Sequence, residues 1–227
     1  MTEFTEWRSL VDGERISAIP DNLVDNFELS ADVDGADEPF GPYLEGDDLS
    51  TFYSGDLGDF ERTDSSPTIE GDFSVHISSS DTLDSAAIIS TPGDELPRYP
   101  DLTEGETIRV SLDQIDSDGA PLFVFEAQDA NNAYYCGVRP SSGWFRIFEV
   151  GGDGLIVDES VSLSNEKHDV EVARNEDDIE YQVFDSDGNS VHSGSVTANE
   201  HKGERGVGWS SATPVGDSVG DNYRVLD

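Results

Sequence analysis

Lysine is almost missing from this chain: Lys167 and Lys202 are the only two among 227 residues. Twelve Lys+Arg against 50 Asp+Glu give a formal net charge of −38. A basic patch, which phosphate backbones require, has little to be built from, so nucleic acid and anionic membranes are excluded as partners. Cysteine is scarcer still, and the single Cys136 excludes an intramolecular disulfide. Cys136 alternates with Tyr134 and Val138, a position for a small buried residue. A reactive thiol would need a neighbouring base and an electropositive setting. No apolar run approaches the ~20 residues of a membrane helix. The opening MTEFTEWRSL has neither the basic region nor the apolar core of a secretory signal. The expectation is synthesis and folding in the cytoplasm without membrane insertion. No G-x-S-x-G elbow, H-E-x-x-H or P-loop occurs. His76, His168, His192 and His201 are scattered without metal-ligand spacing.

Such an acidic chain invites disorder as a first reading. Against it, 35% of residues are hydrophobic, and the aromatics fall in alternating runs. The acid is spread over the whole length instead of forming a tail. A folded, Lys-poor, uniformly acidic protein suits high salt, where carboxylates hold water and cations. At low salt its self-repulsion is weakly screened and destabilising.

The pattern that is present is a period of two. From Ala133 to Trp209 the chain reads as consecutive antiparallel strands. Val170 and Val172 alternate with Asp169 and Glu171; Ile179, Tyr181 and Val183 alternate with Glu180 and Gln182. Gly151–Gly154, Asn175–Asp178 and Asp185–Asn189 punctuate the run, because Gly, Asn and Asp tolerate the backbone that tight turns need. Upstream, short strands are expected at Asp25–Glu28, Leu49–Tyr53, Gly58–Arg62, Phe73–Ile77, Ser85–Ser90, Thr107–Leu112 and Leu122–Ala127, with Thr91–Glu106 as a long loop and Asn222–Leu226 as the last strand. About a dozen short strands without a helix indicate an all-β, two-sheet sandwich or barrel. Residues 25–227 form one domain. Residues 1–24, with Trp7, Leu10, Val11, Ile16 and Ile19, have too few apolar groups for their own core. They lie on the domain edge or serve as an attachment and oligomerisation arm.

The FE motif at Phe27-Glu28 and the strands to Ile77 open a longer series. It continues with YYCGVRPSSGWFRIFEV (Tyr134–Val150), HDVEVARNEDDIEYQVFDSDGNSV (His168–Val191), GERGVGWSS (Gly203–Ser211) and GDNYRVLD (Gly220–Asp227). In strand order and hydrophobic pattern the series resembles concanavalin A-like jelly rolls. That group includes laminin-G-like domains, family-16-type glucanases and many carbohydrate-binding modules. The resemblance covers nearly everything after Val24 and implies a two-sheet antiparallel jelly-roll sandwich with a short N-terminal extension. Together with the acidic composition and the arm, the chain resembles surface proteins of haloarchaeal tailed viruses. The expected role is a non-enzymatic virion surface protein (turret, tail fibre or decoration) in a high-salt environment. Its expected partners are a second copy of itself, other virion proteins through residues 1–24, and host surface glycoprotein glycans. A carbohydrate-binding module outside a viral context and a glycan hydrolase are the alternatives.

The resemblance also implies a structural calcium between first and last strands. The matching positions are Glu28 and Asp221, and Asp32 and Asp34 supply further oxygens, since Ca²⁺ takes about six to eight. Glu176-x-Asp178-x-Glu180 has the spacing of a family-16-type catalytic motif. It sits where a hairpin must turn, so its acids should splay into solvent, whereas retaining hydrolysis needs two carboxyls about 5–5.5 Å apart. Aromatic residues are the remaining ligand candidates, because sugars lay their C–H faces on rings. Trp144, Arg146 and Phe148 share one strand face while Phe145 and Ile147 share the other, and Tyr135 and Arg139 flank them. One face is core; the other is either an exposed binding surface or buried as well. Trp209, after Gly206-Val207-Gly208, reads as core.

Overall fold

A computed structural model of the protein describes residues 48–63, 74–78, 87–94, 96–212 and 216–226, with five short strands before residue 26. In chain order these five are β1 (Phe4–Glu6), β2 (Ser9–Leu10), β3 (Gly13–Glu14), β4 (Ala18–Pro20) and β5 (Leu23–Asp25). Next come β6 (Ser54–Gly55), β7 (Phe60–Thr63), β8 (Ser74–Ser78), β9 (Ala87–Ser90), β10 (Thr107–Gln114), β11 (Pro121–Asp129) and β12 (Asn132–Arg139). The series ends with β13 (Trp144–Val150), β14 (Gly154–Ser160), β15 (His168–Asn175), β16 (Asp178–Phe184), β17 (Ser190–Thr197), β18 (Gly206–Ser211) and β19 (Asp217–Leu226).

Two antiparallel sheets carry the domain. Sheet I runs β14-β13-β12-β11-β18-β9-β6; sheet II runs β17-β16-β15-β10-β19-β8-β7, with β5 also on β19. The meander β11–β14 lies in sheet I and the meander β15–β17 in sheet II, while β18 and β19 cross between sheets. That is jelly-roll connectivity. The three turns expected from Gly, Asn and Asp fall between β13 and β14, β15 and β16, and β16 and β17. In the last of these the Asp185 carboxylate accepts from the backbone N–H groups of Asp187 and Asn189.

The core between the sheets follows the period-two reading. Ile108, Val110, Phe123, Phe125, Tyr134, Phe145, Val172, Val183, Trp209 and Tyr223 are fully buried. Trp209 and Phe123 both meet Tyr223 edge-on, and Phe145 stacks on Tyr181 at 4.7 Å between ring centroids. Gly220 makes room for this: a Cβ there would lie 2.1 Å from the Trp209 ring. Cys136 is buried in the same core, and burial pushes its thiol well above the ordinary value.

Several expectations are corrected. Leu49–Thr51 is a 3₁₀ turn instead of a strand, because the Asp48 side chain caps it by accepting from the Ser50 N–H. β5 already pairs with β19 and buries Val24, so the sandwich takes in residues before 25. Residues 4–20 contain two short ladders, β1 with β4 and β2 with β3. Of the expected strand Asp25–Glu28, residues 26–28 lie outside the described residues. The 91–106 segment is a connection between β9 and β10 as expected, and it sends Leu96, Tyr99 and Leu102 into the core. Tyr99 is held there through its hydroxyl, 2.7 Å from Ser90 Oγ.

Candidate functional site

Strand register decides which side chains share a face. In sheet I, β12 and β13 pair Tyr135 with Phe148, Gly137 with Arg146, and Arg139 with Trp144. All five candidate residues of the aromatic face therefore lie on the outer surface of one sheet, opposite Phe145 and Ile147 in the core. Little ring surface is open there. Tyr135 is buried, and its hydroxyl donates to the Ala130 carbonyl at 2.6 Å. Trp144 is buried too, with the Arg146 guanidinium 4.7 Å above its ring. Arg146 also donates to Asp158 on β14 at 2.7 Å. Phe148 is half-buried. Arg139 reaches the Ser117 carbonyl and Asp118. What this face presents is an aromatic–guanidinium–carboxylate row of Trp144, Arg146 and Asp158.

The outer face of sheet II carries a concavity instead. Register there builds two rows: Thr107 opposite Ala173, then Glu180, then Ser195; and Glu171 opposite Gln182, then Ser193. These residues line a groove of about 430 Å³, inside the ~300–1,000 Å³ range of small-molecule sites. Ala173 is one of its lining residues, and its methyl leaves space that a longer side chain would fill. Hydroxyls come from Thr107, Ser193 and Ser195, an amide from Gln182, and carboxylates from Glu171 and Glu180. Arg109, two residues beyond Thr107 on β10, donates to Glu171 at 3.1 Å and to Asp169 at 2.7 Å, and its guanidinium lies 5.0 Å over Phe184. Glu180 accepts from Asn175 Nδ2 at 2.9 Å. The residues are individually unremarkable polar positions on neighbouring strands. Only the outward half of the period marked them, and their convergence depends on two hairpins and the non-local pairing of β10 with β15 being in register.

The E-x-D-x-E acids splay as their place in the chain implied. Glu176 occupies the turn itself with φ 57°, Asp178 accepts from Thr197 Oγ1, and Glu180 alone reaches the groove. The calcium set falls mostly elsewhere: Glu28, Asp32 and Asp34 lie outside the described residues. Asp221 is fully buried, with one oxygen accepting from Ser74 Oγ and the other from the Asn222 N–H. Among the described residues no group of three or more His, Cys, Asp or Glu is placed to hold a metal.

A buried polar network, invisible in the sequence, closes one end of the sandwich. A bulge in β11 puts Glu126 at φ 45° and turns its carboxylate inward. There Arg174 meets it with Nε and Nη2 while Nη1 donates to the Ala198 carbonyl at 2.6 Å. Side-chain exposures are 1% for Arg174 and 2% for Glu126. Burial disfavours the charged Arg174, but the Glu126 carboxylate outweighs it and holds the guanidinium charged. The Tyr134 hydroxyl donates to Glu149 at 3.0 Å, and burial first, then that carboxylate, pushes its pKa up to about 12. His201 Nε2 contacts the Val150 carbonyl at 2.7 Å. These groups tie the 199–204 loop to β11, β12 and β13.

Comparison with solved structures places the architecture. The chain aligns with carbohydrate-binding module CBM66 from Bacillus subtilis at TM-score 0.52 and 16% identity, over 78% of this chain and 96% of that one. Its fold is a two-sheet antiparallel jelly-roll sandwich. A protein of unknown function with a galectin-like fold from Bacillus subtilis aligns at TM-score 0.47 and 12% identity, over 76% and 88%. Arcelin-5, a lectin-like defence protein from Phaseolus vulgaris, aligns at 0.43 and 12%, over 74% and 89%. Of these three the first alone is close enough to bear on the fold. No family model and no curated protein matches the sequence.

Proposed function

We propose that this protein is a non-enzymatic carbohydrate-binding module whose ligand lies in the sheet II groove. The observation that carries the reading is the lining of that groove. Three hydroxyls, one amide and two carboxylates converge on about 430 Å³, a donor-and-acceptor set that matches the hydroxyls of a sugar ring. The fold shared with a module named for carbohydrate binding supports it. Glu171 and Glu180 disfavour anionic sugars, so the ligand class is a neutral or amino-bearing oligosaccharide.

Calorimetric titration with neutral and amino-bearing oligosaccharides tests this. Glu180→Gln and Gln182→Ala should each weaken binding about tenfold, the equivalent of one good hydrogen bond at ~1.4 kcal/mol. Ala173→Trp should abolish it by filling the groove. The second reading places the sugar on sheet I, and the Trp144–Arg146–Asp158 row favours it. Binding that survives Ala173→Trp and is lost in Arg146→Ala would move the site there. Glycan turnover that disappears in Glu171→Gln and Glu180→Gln would make the protein a hydrolase.

The finer assignment is a surface component of a halophilic archaeal virus that attaches to host glycans. The charge of −38 supports the high-salt setting. Absence of the protein from mass spectra of purified virions would remove this assignment.

A further inference from the structure

β17 ends sheet II, and among the described residues only β16 pairs with it. An edge strand exposes a row of unpaired N–H and C=O groups, and proteins usually blunt it with charge, proline, a bulge or brevity. The other edges here follow that rule. β7 carries Glu61 and Arg62, β14 carries Asp158 and Glu159 and bulges opposite Phe148, and β6 has two residues. β17 does not. Its eight residues, SVHSGSVT, contain no Asp, Glu, Lys, Arg or Pro, in a chain of which 27% is charged. None of its residues is buried, and from Val191 onward they alternate between exposed and half-exposed. Among the described residues, two of the three exposed large hydrophobics, Val191 and Leu155, lie on β17 and on β14, the two edges that His192 and Glu159 join on this side of the sandwich.

We infer that β17 is a self-association edge, at which two copies pair antiparallel about a two-fold axis and run sheet II continuously through both. A second copy is the occupant that the charge selects. Two bodies of −38 each repel wherever carboxylates face carboxylates, and this is the edge that lacks them. An isologous contact needs a patch complementary only to itself, and a strand of hydroxyl and β-branched residues meets that need through Ser and Thr cross-strand pairs. The flanks are acidic, with Asp185 and Asp187 at one end and Glu200 at the other, and an antiparallel pairing brings opposite ends together. Association therefore strengthens with salt, as screening shortens from about 10 Å at 0.1 M to about 3 Å at 1 M. Ser193 and Ser195 line the groove, so the pairing sets two grooves side by side across the axis and allows bivalent attachment.

Sedimentation equilibrium on the full chain reads the outcome. A dimer is expected at high KCl, with a dissociation constant at least tenfold weaker at ~0.1 M than at ~1 M. Val191→Glu with Thr197→Glu, both exposed and outside the groove lining, should give a monomer with unchanged circular dichroism. The matching Val191→Lys, Thr197→Lys protein should also be monomeric. Mixing the two should restore a dimer, which a folding defect would not do. A wild-type protein that stays monomeric across this salt range overturns the inference. So does a dimer that survives the glutamates, or a mixture that stays monomeric.

Discussion

Removing Arg174 from its pair with Glu126 should be among the most damaging single changes in this protein. Both side chains are almost completely buried. With Arg174→Met the Glu126 carboxylate keeps one described donor, the Gly203 N–H at 3.2 Å, and the Ala198 carbonyl loses its guanidinium. Breaking a buried ion pair by deleting one partner costs about 3–5 kcal/mol, because the surviving charge is stranded away from water. Against a total of roughly 5–15 kcal/mol this is a large share, and in a domain of this size it lowers Tm by roughly 6–20 °C. Glu126→Leu alone strands the guanidinium and should cost a similar amount. The double variant Arg174→Met, Glu126→Leu leaves no buried charge and should recover most of the loss, since apolar replacement of such pairs is often neutral or stabilising. Urea unfolding of all four proteins at constant high KCl measures the cycle. A loss below ~1 kcal/mol for Arg174→Met, or a double variant as unstable as the sum of the singles, would refute the argument from stranded charge.

Three further expectations follow from single positions and from the charge. His168 is buried, and burial lowers its pKa although the Glu166 backbone and the Asp185, Glu166 and Asp169 carboxylates pull the other way. The unfolded chain then takes up the proton first, so stability present above the ordinary histidine value of about 6.5 is lost as pH falls through it. His168→Leu should remove that part of the slope in urea midpoints measured between pH 8 and pH 5.5. Gly220→Ala should cost about 1–3 kcal/mol by forcing a methyl into the Trp209 ring, with a visible loss of near-ultraviolet circular dichroism; an unchanged spectrum and midpoint would contradict the packing. Thermal midpoints should rise with KCl from ~0.1 M to ~1 M as self-repulsion of the −38 charge is screened, and a flat profile would count against the high-salt reading.

The sequence alone determined the β architecture, because a period of two in Val170–Val172 and Ile179–Val183 is a local consequence of strand geometry, and Gly, Asn and Asp mark where strands reverse. It also placed Trp209 and Cys136 inside, and set Trp144, Arg146 and Phe148 on a face opposite Phe145 and Ile147. What period two cannot say is how curved a face is or which neighbour a side chain meets. The groove needed Thr107, Glu171, Gln182 and Ser193 from four strands in register, and Tyr135 and Trp144 were taken out of solvent by contacts beyond their own strands. The Glu126–Arg174 pair joins residues 48 positions apart through a bulge that breaks the alternation on which the sequence reading rests. Local pattern fixes which way a residue points; only tertiary packing decides what it finds there.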